Sequence, residues 1–359
     1  MLNYLQKYLQ VYYDSNKLKL PNIGYSMRIA IIGAGFSGLA AAWHLSQKNC
    51  ETTLFDPQGI GGGASGISAG LVHPYAGAHA KLNRYGREGM IETELLLNMA
   101  SESLGTSVVA GRGLIRLAYS TEQYEDFNRS AKEYDDIDWL SDDQCLKSVP
   151  FIERPLGGIF IRSALSVTIA SYIKGLSKAC ESRGVNLIKS KIQNLSELAG
   201  FDAIIVAAGF SSTQYPELNQ FTLTPIKGQI LEFQWPKDMP MLSVPINSQA
   251  YLINNPSNGS CYAGATFEKK IASDLPDKQT AIDELFPKIN VMVPFLTQCP
   301  IIDCRAGIRV STPDHLPIIA KVKDNIWLLT GMGSKGLLYH ALFAKLLAHQ
   351  ILNDKQQKT

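Results

Sequence analysis

The chain carries the pattern Gly-x-Gly-x-x-Gly three times: Gly33-Ala34-Gly35-Phe36-Ser37-Gly38, residues 61–66, and residues 331–336. Glycines so spaced remove the side chains that would keep a phosphate away from main-chain N–H groups, and a helix that starts there adds its dipole. Context separates the three. The first follows an apolar run, residues 27–32 (MRIAII), and opens an Ala-rich stretch with helical spacing; Asp56 closes a second apolar run, residues 51–55. Together these make the dinucleotide fingerprint: a tight turn, a pyrophosphate on a helix N-terminus, and a carboxylate for a ribose hydroxyl. The second match lies in a Gly/Ser-rich loop, residues 59–70, with no strand of its own. The third sits between a strand and a helix, but the chain stops at 359, before another strand could bring a ribose acid. One dinucleotide is therefore expected, not the pair bound by a reductase with two such domains.

Positioning those glycines takes strands before them and helices after them. Apolar runs predict strands at 27–32, 51–55, 201–206 (ending in Ala207-Ala208-Gly209) and 326–330. Helical spacing covers residues 39–45, 82–104, 169–180, 278–296 and 335–352. Residues 184–187 with Ile192 suggest a strand pair, and 222–266 are strand-rich. Strand–helix alternation at both ends around a β-rich middle predicts an interrupted α/β nucleotide domain with a β-rich insertion.

At 359 residues the chain has length for about two domains of ~150 residues. With 45% hydrophobic and 18% charged residues it can bury a sizeable core. Its 34 Lys+Arg against 32 Asp+Glu, a formal +2, do not favour a protein built to coat nucleic acid, a local basic patch apart. No run of ~18 apolar residues predicts a membrane-spanning helix. Cys50, Cys145, Cys180, Cys261, Cys299 and Cys304 show no CxxC spacing. Neither a disulfide scaffold nor a metal site is expected, and a reducing, cytoplasmic compartment is. Residues 1–26 lack the features of a secretory signal. Leu2, Leu5 and Leu9 with Tyr8 and Tyr12 would share a helical face, but a peripheral extension ahead of Met27 is the plainer reading.

From Met27 to about Leu352 the chain resembles the FAD-dependent D-amino-acid oxidase superfamily, which includes glycine oxidase, sarcosine oxidase and D-amino-acid dehydrogenase. The stretches GGGASGISAGLVHPY (61–75), RAGIRVSTPDHLPIIA (305–320) and TGMGSKGL (330–337) are most similar to the oxidase domain of the bifunctional enzymes that finish 5-methylaminomethyl-2-thiouridine in tRNA. The resemblance covers the oxidase part alone. It implies a Rossmann-type FAD-binding domain with an inserted β-rich α+β substrate domain. The expected division assigns 27–85, 155–215 and 300–359 to FAD, and 86–154 and 216–299 to substrate. Alongside Gly33, Gly35, Phe36, Ser37, Gly38 and Asp56, it implies cofactor contacts from Ala64 and Ser65, from Ala207, Ala208 and Gly209, and from Gly331, Gly333, Ser334, Lys335, Gly336 and Leu337. No histidine–cysteine pair for covalent attachment is apparent, so non-covalent FAD is expected.

The implied reaction is two-electron oxidation of an amine by hydride transfer to flavin N5, the resulting imine then being hydrolysed. The cofactor supplies that chemistry; the protein must supply a clamp. A substrate carboxylate calls for a bidentate arginine. Arg309 falls where the family places that residue, and Arg305 is read as structural. Tyr251, opening YLINN, resembles the family's active-site tyrosine, although a lone aromatic on a strand is as readily a cross-strand packing residue. His73 follows the flavin loop as a candidate base or hydrogen-bonded group; His315 is read as structural. The expected substrate is an N-substituted glycine unit or other amino-acid-like amine, free or on tRNA, with oxygen as acceptor. A tRNA substrate requires a basic rim, for which Lys81, Arg84, Arg87, Lys269 and Lys270 are the candidates. The competing readings are a membrane-surface D-amino-acid dehydrogenase and a non-catalytic FAD-binding module.

Overall fold

The computed structural model describes residues 26–356, apart from 49 and 256. The amphipathic face expected near the start lies outside the described residues. The run MRIAII forms β1 (Met27–Ile32). Met27, Ile29 and Ile31 enter one core, while Ala30 and Ile32 enter the core on the opposite face. Burial on both faces explains why the run lacks polar alternation. In parallel beside β1 lie β2 (Cys50–Phe55) and β8 (Ala203–Val206), extended by β7 (Asn186–Ile188) and β15 (Ile326–Thr330). An edge strand, β14 (Ile318–Lys321), runs antiparallel to β15. The order β14-β15-β8-β1-β2-β7 places a switch point beside β1, where a crevice opens beyond the carboxyl ends of the strands.

Eight α-helices lie among the described residues: α1 (Phe36–Ser46), α2 (Ala64–Ile67), α3 (Gly86–Leu104), α4 (Thr121–Glu133), α5 (Asp142–Ser148), α6 (Ile169–Glu181), α7 (Lys278–Met292) and α8 (Gly336–Gln356). Helices α1, α3, α6 and α8 bury their apolar sides in the first core. The second sheet runs β13 (Ile301–Ser311), β9 (Thr224–Phe233), β12 (Ser260–Gly264), β11 (Tyr251–Asn255), β10 (Ile246–Asn247), β4 (Val109–Ala118), β6 (Gly157–Val167) and β3 (Leu71–Val72), with β5 (Ile137–Leu140) on β6. Its core takes Ala281, Leu285, Ile289 and Met292 from α7.

The α/β architecture matches the expectation, but the segment boundaries differ. Residues 157–167 and 301–311, expected in the nucleotide domain, are strands of the second sheet. Helix α3, expected with the substrate domain, buries Met90, Leu96, Leu97 and Ala100 in the first core. Its helical conformation begins at residue 86 rather than 82, after left-handed turns at Ala80 and Tyr85. Of the strand pair expected at 184–192, one strand forms, and it joins β2 in parallel. Ile192 instead packs with Leu195 and Leu198 under the first sheet. All six cysteines are free. No helix among the described residues is long and apolar enough to cross a membrane.

Candidate active site

The first glycine cluster is built for close backbone approach. Gly33 has φ +107°, and a Cβ there would stand 2.5 Å from the Ala207 carbonyl oxygen. A Cβ on Gly38 would overlap the Gly33 carbonyl. Turn, helix and the end of β8 are thus pressed together with no side chain between them. Asp56 accepts from the Ala34 N–H at 2.9 Å and from the Gln58 N–H at 2.9 Å. Helix α1 begins without a side-chain cap from Gly35 and without an acid in its first turn. The Phe36 N–H instead donates to Ser65 Oγ at 3.0 Å.

That bond brings the second cluster onto the first. Ala64 in turn lies against the second sheet, where a Cβ on Gly307 of β13 would stand 3.1 Å from Ala64 Cα. The third cluster follows β15, with positive φ at Gly331 and Gly333, and leads through Ser334 and Lys335 into Gly336 and Leu337 of α8. Ala207, Ala208 and Gly209 follow directly on the end of β8. A helix N-terminus that is free of acids and not capped by its own N-cap residue, a backbone cradle that a Cβ on Gly33 or Gly38 would fill, and the buried, unpartnered Nδ1 of His73 all suit a bound dinucleotide.

A cavity of about 230 Å³ opens between the third cluster and the second sheet. Its lining includes Arg309, His315, Phe267, Gly77 and Lys335. Arg309 Nη2 donates to the Thr266 carbonyl at 3.0 Å, and the residue forms no ion pair among the described residues. Burial pulls its pKa down, opposed by Tyr251 and Glu284. Two glycines missed in the sequence make room here. A Cβ on Gly228 would stand 2.5 Å from Arg309 Nη2, and one on Gly264 would stand 2.5 Å from the Tyr251 hydroxyl. Lys335 donates to Asn83 Oδ1 at 3.0 Å, and burial lowers its pKa as well.

The other candidates separate. Tyr251 sits beside Arg309 electrostatically but does not line the cavity; burial pushes its phenol up, against the opposing charge of Arg309. His73 is buried away from the lining, and burial together with the Arg116 charge pushes it down to about 3. It is therefore a neutral imidazole at physiological pH. Arg305 is paired with Glu232 at 2.7 Å and Asp303 at 2.7 Å, with its guanidinium 5.0 Å from the Tyr262 ring centroid. His315 lines the cavity with φ +57° and its Nδ1 lies 3.2 Å from Ser311 Oγ. The proposed basic rim is interrupted, since Arg87 pairs with Asp135 at 3.0 Å. One group of potential metal ligands, His79, Glu122 and Asp126, exists among the described residues, but Arg129 already holds Asp126 at 2.9 Å.

A parallel sheet with a dinucleotide fingerprint at its switch point, joined to a strand-built cavity with a cationic anchor, is the layout of a flavin-dependent oxidoreductase. Residues 28–350 match the FAD dependent oxidoreductase (DAO) family, and the chain belongs to that family, whose cofactor is FAD. It is 24% identical over 353 residues to glycine oxidase of Bacillus subtilis (strain 168), covering 90% of this chain and 93% of that protein. It is 23% identical over 345 residues to the tRNA 5-methylaminomethyl-2-thiouridine biosynthesis bifunctional protein of Idiomarina loihiensis, covering 91% of this chain and 56% of that longer protein. The crystal structure of glycine oxidase from Geobacillus kaustophilus superposes with a TM-score of 0.78 at 20% identity, covering 92% of this chain and 95% of the other.

Proposed function

We propose that this protein oxidises the C–N bond of a small amino-acid-like amine, a glycine or N-substituted glycine unit, whose carboxylate is held by Arg309. The observation that carries the reading is a partly desolvated guanidinium lining the cavity with no ion-paired carboxylate among the described residues. Such a group gains most from a bidentate anion, because charge-assisted pairs strengthen as water is excluded. Non-covalently bound FAD supplies the two-electron acceptor. The glycine clusters, Asp56 and Ser65 would hold its pyrophosphate and ribose ends, and residues 331–337 would border its reactive end.

The remaining roles belong to the protein. Gly228 and Gly264 leave space for Arg309 and Tyr251 to lie flat across the sheet. Tyr251 keeps its hydroxyl protonated beside Arg309, behind the cavity lining, and supports the guanidinium from there. His73 stays neutral and offers a hydrogen bond without a competing charge. Thr266, through its carbonyl, fixes one arm of the guanidinium and leaves the others for substrate.

A second reading keeps the glycine unit but places it on tRNA. It rests on Phe267, which lines the cavity while 52% exposed, with Lys269 Nζ 6.0 Å from its ring centroid. One experiment addresses both readings. Anaerobic reduction of the bound flavin is followed with glycine, sarcosine, D-amino acids and tRNA bearing a carboxymethylaminomethyl group. Bleaching by a small amine supports the first reading and bleaching by tRNA alone supports the second. Bleaching by none of them removes both.

A further inference from the structure

Residues 74–79 connect β3 to the turn before α3, and within them Ala76 and Gly77 line the cavity. This stretch has no strand partner, yet each of its carbonyls is bound by a side chain. Asn83 Nδ2 donates to Pro74 O at 2.7 Å and to Ala76 O at 3.0 Å. Arg116 Nη1 donates to Tyr75 O at 3.0 Å, and Nη2 to Gly77 O at 2.7 Å and Ala78 O at 3.2 Å. Ser130 Oγ donates to His79 O at 3.4 Å.

Arg116 is the unusual member. It lies on β4 facing an apolar cluster that includes Leu114, Ala118 and Phe127, and is 3% exposed. Its guanidinium carbon is 4.9 Å from the Phe127 ring centroid, and it has no carboxylate partner among the described residues. Burial alone pulls its pKa down to about 10. An interior cation without a counter-ion is costly, and a leucine would fill the same position without that cost. A leucine could not hold three carbonyls in a fixed fork.

We propose that Arg116 is a positioning residue for the substrate: its buried guanidinium fixes the cavity wall at 75–78 and keeps those carbonyls turned away from an anionic ligand. The inference rests on the carboxylate-binding reading of the cavity. Released carbonyls are electronegative, so a freed wall opposes the same carboxylate that Arg309 attracts. The effect therefore falls on binding of carboxylates, while flavin binding, carried by other segments, stays in place.

Arg116→Met and Arg116→Lys holoenzymes test the proposal by flavin content, kcat and KM with the best amine, and titration of flavin absorbance with glycolate and its neutral amide. Hydrogen exchange at residues 74–80 reads the wall itself. In Arg116→Met, KM and the glycolate dissociation constant should rise about tenfold or more, with kcat little changed and the amide unaffected. Exchange at 74–80 should quicken. Arg116→Lys should fall between wild type and Arg116→Met, because a compact ammonium lacks the rigid planar fork that reaches all three carbonyls. If Arg116→Met does not fold, Arg116→Lys decides: unchanged exchange and glycolate affinity there would overturn the proposal. Equal losses for glycolate and amide would reduce Arg116 to general packing and also overturn it. If wild type binds no carboxylate but exchange still quickens in the variants, the parent reading of the cavity fails while the clamp on 74–78 stands.

Discussion

The crevice beside β1 and the cavity lined by Arg309 are built on opposite terms. The crevice is shaped by missing side chains: Gly33 and Gly38 let backbone meet backbone, Gly35 makes room for the Ser65 hydroxyl, and the proposed binding groups are main-chain N–H. The cavity is lined by side chains that are incompletely matched, Arg309 with one carbonyl and Lys335 with one amide oxygen, while Arg116 holds the carbonyls of its wall from behind. A substitution in the first should therefore fail by collision. One in the second should fail by loss of charge or aim.

The largest contrast comes from Gly33→Val. It places a branched side chain at φ +107° against Ala207 O, and should cost ~3 kcal/mol or more in stability and abolish flavin binding. Bound-flavin absorbance and a urea midpoint check this; a flavin-loaded variant of normal stability would mean that the crevice tolerates side chains. Next, Arg309→Ala should keep its flavin while weakening carboxylate substrates by ~2–3 kcal/mol, seen in KM. An unchanged KM would remove Arg309 from the site.

Arg305→Ala sharpens the comparison within one strand face, since Arg305 and Arg309 lie four residues apart on β13. Its loss leaves the Glu232 side chain, 4% exposed, without its cation, and should lower stability by ~1–3 kcal/mol with KM unchanged. Burial pushes Glu232 up, but Ser260, Asn258, Asn255 and Arg305 together outweigh it and hold the carboxyl below its usual 4.5. A depressed carboxyl contributes stability above 4.5 that is lost as pH falls through its folded value. The acid midpoint of Arg305→Ala should therefore move to higher pH. The smallest effect is expected from Gly228→Ala, whose new methyl has the guanidinium atoms of Arg309 as its nearest neighbours. Stability should hold within ~0.5 kcal/mol while KM rises severalfold; a stability loss without a KM change would contradict the aiming role.

This division also explains what the sequence made legible. Backbone function leaves a spacing record, and Gly33-x-Gly35-x-x-Gly38 with Asp56 could be read directly. Arg309 became a candidate only through resemblance, because an arginine on a strand carries no local mark that separates a ligand clamp from a structural cation. Arg116 did carry a mark, a cation inside the apolar run Leu114-Ile115-Arg116-Leu117-Ala118. Its acceptors lie 38 to 41 residues away in a loop without periodicity. Asn83 and Lys335 are 252 residues apart, so neither announces the other. The misplaced boundaries have the same origin: which sheet a strand joins depends on distant partners, whereas its own residues record only that it is a strand.

The free cysteines have a chemical consequence. Burial raises the pKa of all six thiols, to about 12 for Cys50, Cys180 and Cys261 and about 11 for Cys145, with Cys299 and Cys304 also raised. Peroxide attacks thiolates, and at neutral pH these sulfurs remain thiols. With oxygen as the proposed acceptor, peroxide would be released beside these thiols. These six cysteines would offer that oxidant no ready thiolate, so exposure to it should leave them intact.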